Sequence, residues 1–293
     1  MSDQDYLAER FEAQRDQLRG VAYRMLGSTA EADDAVQDAW LRLSRSDAAE
    51  IENLGGWLTT VVARICLNVL RSRKTRGEHP IDEVHIPDPV VGRLDEGGPE
   101  SEAVLADSVG LAMLVVLETL SPAERLAFVL HDMFAVPFDE IAGVIDRSPE
   151  ATRQLASRAR RRVQGDPASV RTTDPARHRE VVDAFLAASR SGSFEALVSV
   201  LDPDIVLRID DGSGLGARLV RGAERVATGA LLFSQVERDV RVVLVNGMPG
   251  LVTIENGRLL SVADFTVVDG KLAELTIVAD PTRLAHVDLT EVL

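Results

Sequence analysis

The chain has 293 residues, 45% of them hydrophobic, which is enough for two or three domains each with its own core. Taken whole, a formal charge of −15 argues against nucleic-acid binding, and a single cysteine, Cys66, excludes an intramolecular disulfide and a cysteine zinc cluster. No apolar run reaches the roughly 18 residues of a membrane span, so the expectation is a cytoplasmic chain that makes no membrane contact, with Cys66 a small buried side chain.

Residues 5–44 read as helices, with Leu7, Phe11, Leu18, Val21, Ala22 and Met25 at mixed three- and four-residue spacing. Gly27-Ser28-Thr29 breaks the pattern. Thr29 is expected to cap a second helix, running to about Leu43, whose early Glu31 complements the N-terminal dipole. After a polar loop with Asn53, Gly55 and Gly56, a third helix is predicted from near Trp57 through Leu70 to the basic tail Arg71–Arg76. From Gly77 to about Pro99, prolines and glycines mix with acids without a period, which predicts a mobile linker.

A second helical block is predicted from about Ser101 to Val163, interrupted at Leu120-Ser121-Pro122, Val136-Pro137 and Arg147-Ser148-Pro149. Each Ser-Pro puts an N-cap before a proline at the first helical position. Past Gly165-Asp166-Pro167 the pattern changes. Two short helices, about 175–190 and 194–201, precede β-branched runs at 205–209, 241–245, 251–255, 258–267 and 271–278. Hairpin turns fall at Asn256-Gly257 and Asp269-Gly270, and the order of elements gives an α+β domain.

The total charge hides its distribution. From Trp57 to Gly77 the charged residues are Arg64, Arg71, Arg73, Lys74 and Arg76, a net of +5. From Arg147 to Val163, six arginines face only Glu150, again +5, whereas Glu78–Asp107 holds nine acids against Arg93. Two basic islands are thus separated by an acidic tether.

The second island contains the sharpest motif: Phe138-Asp139-Glu140-Ile141-Ala142-Gly143-Val144-Ile145, a turn at Asp146-Arg147-Ser148, then Pro149-Glu150-Ala151-Thr152-Arg153-Gln154-Leu155. This is a helix-turn-helix pattern, whose second helix enters the DNA major groove with its N-terminal residues on base edges. Ser148, Glu150, Thr152, Arg153 and Gln154 occupy that end, and Arg158, Arg160, Arg161 and Arg162 continue toward phosphates. The alternative is an ordinary helical hairpin with a solvated basic face.

Tyr23-Arg24-Met25-Leu26-Gly27-Ser28 through Glu31-Ala32-Asp33-Asp34-Ala35-Val36-Gln37-Asp38-Ala39-Trp40, continued by Trp57-Leu58 to Arg73, resembles region 2 of extracytoplasmic-function (ECF) sigma factors. Leu117–Val163, with Leu120-Ser121-Pro122-Ala123-Glu124-Arg125 and the helix-turn-helix, resembles sigma region 4. The resemblance implies transcription initiation with core RNA polymerase. Asp33, Asp34, Gln37 and Asp38 would dock on the clamp helices of its largest subunit, region 4 would meet the β flap, and both regions would grip promoter DNA. An acid-rich helix face can meet a basic partner, though such a face is also commonly just solvated. At the −10 element the resemblance points to Asn53 on an unstacked base and to Arg64, Arg71, Arg73 and Lys74 on phosphates. Trp57 is either a stacking platform or a core anchor at the helix start.

Residues 174–293 resemble a SnoaL-like domain of the nuclear-transport-factor-2 (NTF2-like) superfamily, a cone of helices wrapped by a bent sheet. In one group of ECF sigma factors this domain carries a Gly-rich Asp-Gly motif and an Asn-Pro-Asp-Lys-Leu-type motif. Here they correspond to Asp210-Asp211-Gly212-Ser213-Gly214 and, degenerate, Ala279-Asp280-Pro281-Thr282-Arg283-Leu284. Such cones can be cyclase- or isomerase-type enzymes, with Asp210, Asp211 and Asp264 as candidate acid–base groups. Against this, His178 and His286 fall in outer segments and Asp210-Asp211 reads as a loop.

The expected architecture is multidomain. It comprises a region 2 helical bundle (1–77), an acidic flexible linker (78–104), a region 4 helix-turn-helix (105–166) and the α+β cone (174–293). The expected function is a sigma factor, not an enzyme, with no cofactor and no metal. The cone is expected to contact the sigma regions and regulate them through the loop of Asp210, Asp211, Gly212 and Gly214. An enzyme with a fused helical binding module, and a DNA-binding repressor or activator that works without polymerase, are the competing readings.

Overall fold

The computed structural model describes residues 3–46, 51–76, 86–94, 110–164, 174–213, 217–287 and 289. It divides into two compact units, one of Met1–Asp82 with Leu117–Val163 and one of Glu83–Val116 with Gln164–Leu293. No described helix is long and apolar enough to cross a membrane.

In the first unit α1 (Asp3–Leu26), α2 (Thr29–Leu43) and α3 (Leu54–Arg76) pack on one another. Their shared core includes Leu18, Val21 and Met25 of α1, Ala35 and Val36 of α2, and Leu58, Val62 and Leu67 of α3. Gly27, at φ +72°, ends α1. Ser28, not Thr29, holds the extended N-cap position before α2, and its side chain makes no capping hydrogen bond, so the expected Thr29 cap is not the residue at the helix start. Cys66 is buried, and burial pushes its thiol up to about 12.

α3 begins three residues earlier than Trp57. The Asn53 side-chain oxygen accepts the Gly56 N–H at 3.0 Å and caps the helix. A Cβ at Gly56 would lie 2.8 Å from the Asn53 amide nitrogen and one at Gly55 would lie 3.0 Å from the Gln14 side-chain oxygen, so the two glycines that look like helix breakers leave room for these side chains at the first turn.

The helix-turn-helix module follows as α4 (Leu111–Glu118), α5 (Pro122–Phe128), a π-helical turn (Val129–Met133), α6 (Phe138–Ile145) and α7 (Pro149–Gln164). Both Ser-Pro signals hold. Ser121 and Glu124 form a complete capping box, and the Ser148 hydroxyl accepts the Ala151 N–H at 3.2 Å. Asp146, at φ +57°, closes α6 and makes the turn. Within the unit α3 packs against α5 and α6, and α1 packs against the π-helical turn.

In the second unit α8 (Pro175–Ser191) and α9 (Phe194–Val200) are followed by β2 (Leu201–Asp210), β3 (Arg218–Arg221), α10 (Ala223–Ser234), β4 (Asp239–Val245), β5 (Met248–Glu255), β6 (Arg258–Val268), β7 (Lys271–Val278) and α11 (Pro281–Leu284). A short strand β1 (Val91–Gly92) from the stretch read as linker completes a seven-stranded sheet of order β1-β4-β5-β6-β7-β2-β3. Among the described strands β2 and β7 pair in parallel and the other neighbours are antiparallel. The core joins Val182, Phe185, Leu197 and Val226 of the helices to Leu251, Phe265, Leu272 and Leu275 of the sheet.

The two predicted hairpin turns have positive φ at both central residues, and a third, unexpected Asn-Gly turn at Asn246-Gly247 repeats this geometry. β3 and α10 also lie outside the sequence expectation. α10 opens at Gly222, φ +94°, with no side-chain cap, so no start signal marks it. His178, expected in an outer segment, is buried with its Nε2 3.1 Å from the Pro249 carbonyl. The small cavity lined by His178, Met248, Phe265, Thr266 and Val267 is about 10 Å³, room for about one water.

Candidate nucleic-acid and polymerase interfaces

On α7 the buried face is Thr152, Ala156, Ala159 and Val163, which follows from the i, i+4, i+7 spacing. Thr152, expected among the base-facing residues, is fully buried and its hydroxyl donates to the Ser148 carbonyl at 3.0 Å. A threonine four residues past a serine N-cap satisfies that turn instead of facing outward. Ser148, Glu150, Arg153, Gln154, Arg158 and Arg161 are exposed, and Arg147, in the turn, joins them.

The arginines of α7 divide. Arg162 meets Glu124 at 3.1 Å and Arg160 meets Asp132 at 2.5 Å, so acids from α5 and the π-helical turn pair with two of them. The sequence showed only Glu150 as a nearby acid, because the others arrive through tertiary packing. Burial alone would raise Glu124, but hydrogen bonds from the Ser121 hydroxyl and backbone, with Arg162 and Arg158 beside it, hold its carboxyl below the usual carboxylate value. Arg158 stands 4.0 Å from Glu124 and stays about half exposed. The guanidinium of Arg153 lies 5.7 Å from the Phe138 ring centre.

The residues assigned to the −10 element separate as well. Arg71 is exposed, and Arg64, also exposed, donates to the Gly143 carbonyl of α6 at 2.8 Å. Arg73 is mostly buried, paired with Glu31 and donating to the Leu26 carbonyl at 3.2 Å, so it ties α3 to α1 and α2 and does not stand free for phosphate. Asn53 is exposed while capping α3, and Trp57 is half-buried. The Lys74 side chain, residues 47–50 of the loop, and Gly214 lie outside the described residues.

Asp33, Asp34, Gln37 and Asp38 form the outward face of α2, opposite Ala32, Ala35, Val36 and Ala39. Arg19 of α1 meets Asp33 at 2.8 Å. Beside them Phe11 and Trp40, ring centres 5.1 Å apart, floor a cleft of about 170 Å³ rimmed by Glu12, Arg15, Asp33 and Gln37. An apolar floor with a charged rim suits a protein partner's side chain.

In the second unit the two motifs read separately come together. Arg283 pairs with Asp210 and reaches Asp88 at 2.9 Å. Gly212, at φ +73°, allows Asp280 to approach; a Cβ there would lie 2.8 Å from the Asp280 carboxyl carbon. Asp280 caps α11 through the Thr282 N–H at 2.8 Å, whereas Asp211 is exposed and holds the Ser213 N–H at 3.0 Å. Asp264 is buried in β6 and does not line the small cavity with Asp210 or Asp211.

Residues 86–94 of the presumed linker are thus paired, not free. Val91 and Gly92 align with Val245 and Leu244, and the Val90 N–H meets the Asn246 side chain at 3.0 Å. A single added edge strand needs backbone pairing and no hydrophobic period, which is why the sequence pattern showed none. Residues 77–85 and 95–109 lie outside the described residues.

The chain matches two protein families, Sigma-70 region 2 over residues 10–76 and Sigma-70, region 4 over residues 111–163. It is 39% identical over 297 residues to the ECF RNA polymerase sigma factor SigJ of Mycobacterium tuberculosis, a match covering 96% of this chain and 94% of that protein. The probable ECF RNA polymerase sigma factor SigI of the same organism is 36% identical over 287 residues, 97% of each chain. A crystal structure of M. tuberculosis SigJ matches with a TM-score of 0.75 at 38% identity, covering 96% of this chain and 99% of that one. Paired region 2 and region 4 helices, and similarity over nearly the whole length including the C-terminal α+β unit, make this chain a member of the ECF RNA polymerase sigma factor family.

Proposed function

We propose that this sigma factor reads the −35 element through the exposed face of α7 and the −10 element through the start of α3, while α2 holds core polymerase. The observation that carries the first assignment is the stripe of Glu150, Arg153, Gln154, Arg158 and Arg161, exposed at helical spacing on the second helix of a helix-turn-helix. Arg153 and Gln154 read base edges, with Glu150 and Ser148 beside them, and Arg147, Arg158 and Arg161 hold phosphates. At the −10 element Asn53 and Trp57 face an unstacked base, with Arg71, Lys74 and a released Arg64 on the backbone. The α2 face with its cleft docks on the clamp helices of the largest subunit, and the helix-turn-helix module meets the β flap. All of this takes place in the cytoplasm.

The two DNA-reading modules hold each other in the free chain. Arg125 of α5, buried, is clamped by Glu118 at 2.7 Å and donates to the Met25 carbonyl of α1 at 2.9 Å. Arg64 of α3 is held by α6. Separate promoter elements require these contacts to open, so the closed form binds duplex promoter weakly until core polymerase separates the modules. The C-terminal domain regulates this opening, supported by its capture of the connecting segment at Asp88 and at β1.

The test is copurification with core RNA polymerase followed by in vitro initiation on a randomised promoter library. Full chain that neither joins core nor starts transcripts from any template refutes the assignment. Truncation after about Gly165 that leaves initiation unchanged refutes the regulatory role.

A further inference from the structure

The turn that leads into α6 has an unusual construction. The chain leaves α5 through the π-helical turn, which spaces residues differently from an α-helix. It then reverses at Ala135, a non-glycine residue held at φ +54°. His131, inside the π-helical turn, secures this reversal: its Nδ1 lies 3.0 Å from the Val136 carbonyl. A carbonyl only accepts, so Nδ1 is the nitrogen that donates.

The same imidazole is stacked on Phe138, the first residue of α6, with ring centres 3.7 Å apart and planes 27° from parallel. On Phe138 also rests the guanidinium of Arg153, 5.7 Å from the ring centre and inside the range of a cation–π contact. Arg153 makes no other hydrogen bond or ion pair among the described residues. Its donors are uncommitted while its guanidinium lies over a ring. Arg160 and Arg162 are bound by acids, which would cover the donors that a base needs; an aromatic ring holds the side chain and leaves them uncovered.

We propose that His131 and Phe138 are positioning residues: a stacked pair that sets the orientation of Arg153, so that −35 discrimination depends on two side chains that do not touch DNA. A long arginine side chain loses much rotamer freedom when it docks on a base, and a ring platform removes part of that loss in advance. The proposal rests on the reading of Arg153 as a base reader, and it extends that reading to the residues behind it.

The test uses full-length chain reconstituted with core RNA polymerase and a promoter library randomised across the −35 element, so that the preference at each base is measured as a ratio. Arg153→Ala defines the position it reads by the preference it loses. Phe138→Leu, which keeps apolar bulk without a ring, should lower the preference at that same position by about threefold to tenfold. Phe138→Tyr should retain it, and the double variant Phe138→Leu/Arg153→Ala should match Arg153→Ala alone. His131→Gln, which keeps a donor for Val136 but removes the ring stacked on Phe138, should lose about twofold at that position.

Melting temperature is measured alongside. Should Phe138→Leu unfold, the Phe138→Tyr and His131→Gln ratios decide. Arg153→Ala relaxing a base while Phe138→Leu and His131→Gln leave that base fully discriminated overturns the platform alone. An equal loss at every position in Phe138→Leu overturns it too, since that is the effect of mere destabilisation. Arg153→Ala without effect at any base overturns the underlying reading of Arg153, and the platform with it.

Discussion

α3 and α7 both lie in segments of net charge +5, yet they use their arginines differently. In α7 the two arginines nearest acidic neighbours, Arg160 and Arg162, stabilise the module from within, and Arg153, Arg158 and Arg161 remain outward. In α3 the balance is reversed: Arg73 is bound to Glu31 and the α1 C-terminus, and Arg64 is given to a backbone carbonyl of α6. The difference teaches that a count of basic residues measures an electrostatic footprint, whereas the acids and carbonyls supplied by neighbouring helices decide which cations are left for phosphate. On the proposed reading it also separates Arg64, which a carbonyl holds, from Arg153, Arg158 and Arg161, which are already presented.

The sharpest way to break this comparison is to remove the buried cation that joins the modules. Arg125→Ala leaves Glu118 without its bidentate partner in a largely buried place, and should cost about 3–5 kcal/mol in thermal or denaturant unfolding. A loss under about 1 kcal/mol would mean that the contact between modules is weak.

Arg153→Ala should relax preference at one −35 base by about 1–3 kcal/mol, measured as a selectivity ratio in the holoenzyme. Arg161→Ala should instead weaken binding uniformly and lower the salt slope by about one. An Arg161→Ala protein with altered base preference would erase the division drawn along α7. On α3, Arg73→Ala should cost about 1 kcal/mol of stability through its half-buried pair, and Arg64→Ala should change stability less than promoter opening, measured by permanganate footprinting.

The smallest effect concerns pH. The Glu124 carboxyl is held below its ordinary value of 4.5 in the folded chain, so the stabilisation it gives is fully present above that value and is lost as pH falls through the folded value. Glu124→Gln should flatten the acid limb of the stability profile by about 1 kcal/mol, with little change near neutrality beyond the weakened capping box. An unchanged acid limb would show that Arg162 and Ser121 do not hold the carboxylate in solution.

Much of this molecule was legible in its residues. The Ser-Pro caps, the helix-turn-helix, the α2 face and two Asn/Asp-Gly hairpins depend on short-range rules: a side chain satisfying an N–H two or three residues on, a 3.6-residue stripe, a turn that needs positive φ. The expected α+β class of the C-terminal domain rests on the same rules. What stayed illegible had no local signal. α10 lacks a cap, β1 is recruited by backbone pairing, and Gly56 looks like a breaker until its N–H is seen bonded to the Asn53 side chain.

Residue order alone marked the capped helices, the Asn/Asp-Gly turns and the apolar faces, because those depend on neighbours within one or two turns, whereas β1, β3 and α10 carried no such mark. Only the tertiary structure decided which charges are free. Thr152 is buried, Arg73 is bound, Arg160 and Arg162 are neutralised, and Asp88, Asp210 and Arg283 meet across distant parts of the chain. The reason is physical: the partner that satisfies or orients an ionised side chain acts over a few ångströms of space, and residues that close in space are unrelated in sequence distance.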